Sequence, residues 1–266
     1  MQWLYRSWNY RHLIAALGKR DILQRFQASR LGPLWLMLQP IATIATFYFV
    51  FVIVFNTRWR VQEDAGGEYI LALFVGLIGY NAFVDIVARA PHLITGNTNY
   101  VKKIVFPLDL LPLVAAFSAF VVLLVAFCIW VVIFVLIRGA LPPVTILACP
   151  LLLLPIYFYA LAATWTLSAL CVYFRDLAQA VPLALQALLF ISPVLYPLER
   201  VPSGAFRLLL FANPLTIPIE GLRDLSLYGR LPNASEVLIS IGLATATAAL
   251  GHLFFQRARA GFADVL

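Results

Sequence analysis

LLPLVAAFSAFVVLLVAFCIWVVIFVLI, residues Leu110 to Ile137, contains no charged side chain and is closed by Arg138. A bilayer core about 30 Å thick takes roughly 20 apolar residues as a helix rising about 1.5 Å per residue. This run exceeds that length and shows no period-two alternation, so it reads as a helix in lipid and not as a barrel strand.

Five further apolar runs flank it. Leu34 to Phe55 carries no charge, and Tyr69 to Val84 reaches Arg89 if Asp85 sits at the membrane boundary. Val144 to Phe174 is charge-free and longer than one crossing needs, so it must tilt, bend or protrude. Ala178 to Leu198 is apolar but holds Pro182, Pro193 and Pro197, each of which removes a backbone donor. Val237 to Phe255 is the last. The predicted fold is an all-α membrane protein of six transmembrane helices: 34–55, 69–89, 110–137, 144–174, 178–198 and 237–255. Residues 1–33 form a cytoplasmic interface segment in this reading, and 199–236 a periplasmic gate region.

Composition agrees. Of the 266 residues 63% are hydrophobic and 12% charged, against about 25% charged in a soluble domain. One membrane domain without a separate soluble module is expected. Phe206 to Ile219 is apolar but short, broken by Asn213-Pro214 and Pro218 and bordered by Arg207 and Glu220. Such a piece dips into the membrane or lies on its face.

The net charge of +7 does not point to nucleic acid, because the basic residues flank the apolar runs. With the N-terminus inside, twelve Lys and Arg fall in the inner connections and seven in the outer ones. An even number of crossings then returns the C-terminus to the cytoplasm. The opening MQWLYRSW has no uninterrupted apolar core before a small-residue site, so no cleaved leader is expected.

Cys128, Cys149 and Cys171 lie inside apolar runs without a CxxC pair, which indicates neither disulfides nor zinc. His12, His92 and His252 are scattered, and no GxxxxGK[ST], HExxH or GxSxG occurs. No catalytic, cofactor or metal residue is expected. The six runs carry essentially no charged side chain within the bilayer; Asp85 is the exception, and an i,i+4 ion pair with Arg89 at the inner boundary is its expected role.

The connections carry a more specific signal. KRDILQRFQASRLGPLWLMLQP, Lys19 to Pro40, places Arg20-Asp21, Arg25-Phe26, Ser29, Leu31-Gly32, Trp35 and Pro40 at characteristic spacing. GNTNYVKKIVFPLDLLPL (Gly96 to Leu113), VYFRDLAQ (Val172 to Gln179), ISPVLYPLERVP (Ile191 to Pro202) and Asn213-Pro214 follow in order. Together they resemble the type-2 ABC permeases of polysaccharide export, nearest to the O-antigen (Wzm-type) branch and then the capsule and teichoic-acid branches. The resemblance implies two copies of this chain working with two copies of a separate nucleotide-binding ATPase. ATP and Mg are then held by that partner, with no cofactor in this chain. It also implies a lipid-linked polysaccharide as cargo, leaving the inner leaflet of a bacterial inner membrane.

In the resembling family, the stretch from Gly96 to Pro107 is a coupling helix that fits a groove on the ATPase. Asn97, Thr98 and Asn99 suit its start and Pro107 its stop, with Asn99, Tyr100, Lys102, Lys103 and Phe106 as contact or anchoring residues. The alternative for Lys102 and Lys103 is that they are only positive-inside markers. Arg175-Asp176 is either a second transmission point or a local ion pair fixing its turn. Arg20, Asp21, Arg25 and Phe26 belong to a helix at the inner interface, near lipid phosphates, although its apolar residues make no single clean stripe.

Aromatic rings suit glycans through their apolar faces and polar edges. Phe47, Tyr48, Phe51 and Phe55 fall within about a third of the helix circumference, and Tyr196 lies near the outer end of the fifth run. They are channel candidates; packing or lipid-facing positions in an aromatic belt explain them as well. The competing function is a membrane-embedded enzyme acting on lipid-linked sugars, with Glu199, Glu220 and Asp224 as its carboxylates. A carrier without an ATPase comes third.

Overall fold

The computed structural model describes residues 8–26, 29–56, 67–97, 106–202 and 204–265. Every regular element among them is helical. In order these are α1 (Arg11–Phe26), α2 (Trp35–Tyr48), α3 (Gly67–Val87), α4 (Ala90–Leu93), α5 (Leu111–Arg138) and α6 (Cys149–Tyr173). There follow α7 (Leu177–Ile191), α8 (Ala205–Ala212), α9 (Thr216–Arg223), α10 (Ala234–Ala258) and α11 (Phe262–Val265). A π-helical stretch, Phe49–Val54, prolongs α2, and another, Asp224–Tyr228, prolongs α9.

Five segments are long and apolar enough to cross a membrane: Gly32–Val54, Gly67–Leu93, Leu108–Arg138, Val144–Tyr173 and Ala234–Gly261. The expected fifth run is helical only over Leu177–Ile191, 15 residues, or about 22 Å at the usual rise. Ser192 leaves the helix in an extended conformation because Pro193 disfavours the helical region for the residue before it. The region expected to be immersed, Phe206 to Ile219, folds as two helices of eight residues, α8 and α9, with a turn at Asn213. Asn213 Nδ2 donates to Ser192 Oγ at 2.8 Å, and its Oδ1 accepts from the Leu215 amide at 3.0 Å. This buried amide holds the turn against the end of α7.

The core forms around α3. In its most apolar window 78% of residues are buried, against 6% for the α2 segment. Trp130 of α5 donates its indole N–H to the Leu71 carbonyl at 2.9 Å, and Tyr80 donates to the Leu185 carbonyl of α7. Without water in the hydrocarbon, close approach of small residues replaces the hydrophobic effect between helices. The seam between α6 and α10 uses it: a Cβ on Gly251 would come within 2.7 Å of the Ala162 carbonyl oxygen.

The chain's two described ends share one end of the bundle. There α1 packs on the start of α5, and Tyr173, closing α6, donates to the Ala258 carbonyl of α10 at 2.7 Å. This is the terminal end. The opposite, hairpin end gathers α9, the start of α3 and the residues after α7.

Candidate functional site

At the terminal end, α1 is anchored through Ile14 and Leu17 to Leu110, Val114 and Phe117. Ser118 Oγ donates to the Gly18 carbonyl at 3.3 Å. This leaves the polar side of α1 toward the end of the third helix. Arg89 Nη1 lies 2.6 Å from Asp21 Oδ2, and Arg25 Nε lies 3.7 Å from the same oxygen. The expected Asp85–Arg89 pair is therefore absent: Arg89 turns to the interface helix, where a half-exposed carboxylate costs less desolvation than one within the span. Arg20, Gln24 and Asn97 border a recess of about 180 Å³ beside it. The Phe26 side chain lies outside the described residues.

The residues that would follow Asn97 in a coupling helix, 98–105, lie outside the described residues. The Asn97 side chain donates back to the Leu93 carbonyl at 3.0 Å and closes the 3-10 turn Thr95–Asn97. Asn99, Tyr100, Lys102 and Lys103 lie outside the described residues. Phe106 packs against both apolar clusters, and Pro107 opens the turn into α5 by accepting from the Leu110 amide at 3.0 Å. Arg175 and Asp176 are exposed in the tight turn between α6 and α7. Among the described residues no ion pair joins them; backbone bonds from Ala178 and Gln179 to their carbonyls hold the turn instead.

One constellation at this end escaped the sequence reading. Asp109 is buried, 3.6 Å from His252 Nε2 and 3.8 Å from Arg259 Nη1. Trp165 donates to the Asp109 carbonyl at 3.1 Å and meets the His252 ring edge-on. No local motif marks it, because these residues come from elements far apart in the chain.

The hairpin end is built on Arg223, only 1% exposed. Its Nε donates to the Ala72 carbonyl at 2.9 Å, Nη2 to the Val194 carbonyl at 2.7 Å, and Nη1 to Glu220 Oε1 at 2.7 Å. One planar guanidinium thus joins α3, the segment after α7, and α9. Burial pulls its pKa below the ordinary arginine value, and the charge of Glu220 opposes that. Gly76 makes the room: a Cβ there would stand 2.5 Å from Arg223 Nη2. Tyr228 donates to Glu68 Oε1 at 2.7 Å, and Tyr69 to the Leu195 carbonyl at 2.9 Å. Of the three carboxylates offered for an enzyme, Glu220 is engaged by Arg223, and the Glu199 side chain lies outside the described residues. Glu220 thus braces the fold.

The channel aromatics divide. Phe47 stacks on Phe51 at 5.9 Å between ring centres, and Phe51 contacts Phe55 at 6.0 Å and Tyr69 of α3 at 5.9 Å. Phe47 and Phe51 pack on the core, while Tyr48 and Phe55 are exposed. Tyr196 donates to the Phe190 carbonyl at 2.9 Å. A cavity of about 690 Å³ lies between α2, α3 and α5, with Trp35, Gln39, Asn81 and Asp85 among its lining.

A charge-poor helical bundle with five segments able to cross a membrane is the framework of a multi-pass membrane protein, and the chain belongs to the ABC-2 type transporter family, which it matches over residues 12–227. It is a multi-pass protein of the bacterial inner membrane. It is 26% identical over 255 residues to the O-antigen export system permease protein RfbA of Klebsiella pneumoniae, covering 96% of this chain and 95% of that protein. The RfbA permease of Myxococcus xanthus is 26% identical over 261 residues, 97% of this chain and 96% of its own. The polysialic acid transport protein KpsM of Escherichia coli is 26% identical over 226 residues, 79% of this chain and 80% of its own.

Proposed function

We propose that this chain is the membrane-spanning subunit of an ATP-driven exporter that moves a lipid-linked, O-antigen-like polysaccharide across the inner membrane. The observation that carries the reading is similarity to two O-antigen export permeases over nearly the whole of each chain. The sequence holds no phosphate loop, so ATP and Mg belong to a separate ATPase. Two copies of that ATPase act with two copies of this chain.

The α2 segment, 6% buried, supports the pairing: a second copy covers it. The terminal end faces the cytoplasm, in line with the Lys and Arg of the inner connections. There Asn99 to Pro107 and Arg175-Asp176 meet the ATPase. The sixth crossing is made by α7 with the residues after it, and α8 and α9 form a re-entrant gate over the exit.

Deleting the chain's gene in its bacterium is expected to leave the polymer inside the cell and remove it from the surface. Restoring the chain with its ATPase restores display, and an ATPase unable to hydrolyse ATP does not. Surface polysaccharide that persists after deletion would sink the reading. Loss of a capsular polymer alone would favour a capsule exporter, with which the likeness to a polysialic acid transport protein is compatible.

A further inference from the structure

Asp85 lacks the ion pair its sequence context suggests. Arg89, one turn away, is bound to Asp21, and among the described residues Asp85 makes no ion pair or hydrogen bond. Arg25 acts on it through charge at a distance. A carboxylate inside a span is costly to insert, which marks it as a candidate functional residue unless something satisfies it. Asp85 lines the cavity between α2, α3 and α5. So does Asn81, one helical turn earlier and exposed on an otherwise buried helix, and Gln39 faces them from α2. Trp35, also lining it, has its indole N–H tied to Ser29 Oγ at 2.8 Å, while the residue is 38% exposed.

We infer that this cavity is a glycan subsite that takes a neutral sugar ring of the exported polymer by its hydroxyl groups; the inference rests on the exporter reading. A carboxylate only accepts hydrogen bonds, whereas an amide both donates and accepts. That set matches hydroxyls, which do both. A phosphate or pyrophosphate head group would instead meet the like charge of Asp85. The volume falls within the range of small-molecule sites, about 300–1,000 Å³, and is far larger than an ion's shell. No cluster of three metal-ligating side chains occurs among the described residues. The tethered indole offers a fixed apolar face to sugar C–H groups.

The test uses the whole assembly with its ATPase in lipid nanodiscs. The probe is oligosaccharide released by mild acid from the bacterium's own surface polysaccharide, free of lipid and phosphate. Calorimetry is expected to show saturable binding, weakened about tenfold or more by Asp85→Leu, as loss of a charged hydrogen-bonding partner implies. Asn81→Leu weakens it in the same direction. If Asp85→Leu does not assemble, Asn81→Leu and Gln39→Leu carry the measurement. No binding by the wild type, undiminished binding by the variants, or displacement by inorganic pyrophosphate overturns the subsite. Polymer export by wild-type vesicles is measured alongside. Export with unaffected binding in the variants rejects the subsite alone, whereas no ATP-driven export rejects the exporter reading on which it rests.

Discussion

The two ends of this bundle both use an arginine paired with an acid, yet the pairs differ in what they hold. At the hairpin end, Arg223 is buried and also bonds two backbone carbonyls, Ala72 and Val194, from separate segments. At the terminal end, the side chains of Arg89 and Asp21 are 20% and 37% exposed, and the pair ties one helix end to a surface helix. Removing a partner from a buried, hydrogen-bonded charge strands polar groups where water cannot reach them, whereas an exposed pair rehydrates. One end is built as a clasp and the other as a latch. In the orientation proposed above, that division would place the weaker tie on the side of the ATPase and the stronger one on the side of the exit.

Arg223→Met is the strongest challenge to this contrast. It leaves the Ala72 and Val194 carbonyls without their donor, so a loss of about 3–5 kcal/mol is expected, the scale for breaking a buried pair. Thermal unfolding of the purified assembly in detergent reads it. A shift as small as that of a surface substitution would mean that the clasp holds nothing. Next comes Gly76→Ala, whose methyl group would press on Arg223 Nη2. Overpacking there is expected to destabilise by about 1–3 kcal/mol. Placed on Arg223→Met, the same change should have much less effect, since the group it collides with is gone. Equal effects in both backgrounds would show that Gly76 matters for a different reason.

How far the sequence reveals these features follows the range of the forces involved. Apolar runs such as Leu110 to Ile137 were readable because lipid requires every backbone group in a span to bond within the chain, and helix length then follows from bilayer thickness. The break after Ile191 was readable in part: Pro193 was visible and disfavours a helical Ser192, but the hold of Asn213 on Ser192 was not. Arg223 looked like an ordinary outer charge because its acceptors lie 151 and 29 positions away. The pairing of Arg89 failed for the same reason. Asp85 was the local choice, but packing of α1 on α5 brings Asp21 to the guanidinium. Resemblance located the coupling stretch, much of which lies outside the described residues. It gave no hint of the Asp109–His252 contact, which forms only when α10 packs on α6.

Asp21→Asn is the smallest expected effect and the sharpest check on the latch. The substitution keeps an oxygen that accepts from Arg89 Nη1 but removes the charge shared with Arg25. Half-exposed pairs of this kind contribute about 0.2–1 kcal/mol, so the unfolding temperature should move only slightly. A double-mutant cycle with Arg89→Gln isolates the charge-dependent part of the coupling, since it subtracts what each substitution does alone. A coupling energy as large as the Arg223→Met loss would erase the distinction between the ends. A small coupling with changed ATP hydrolysis by the assembled transporter would sharpen it. The pair would then matter through the position of α1 against the end of the third helix, beside the stretch proposed to meet the ATPase.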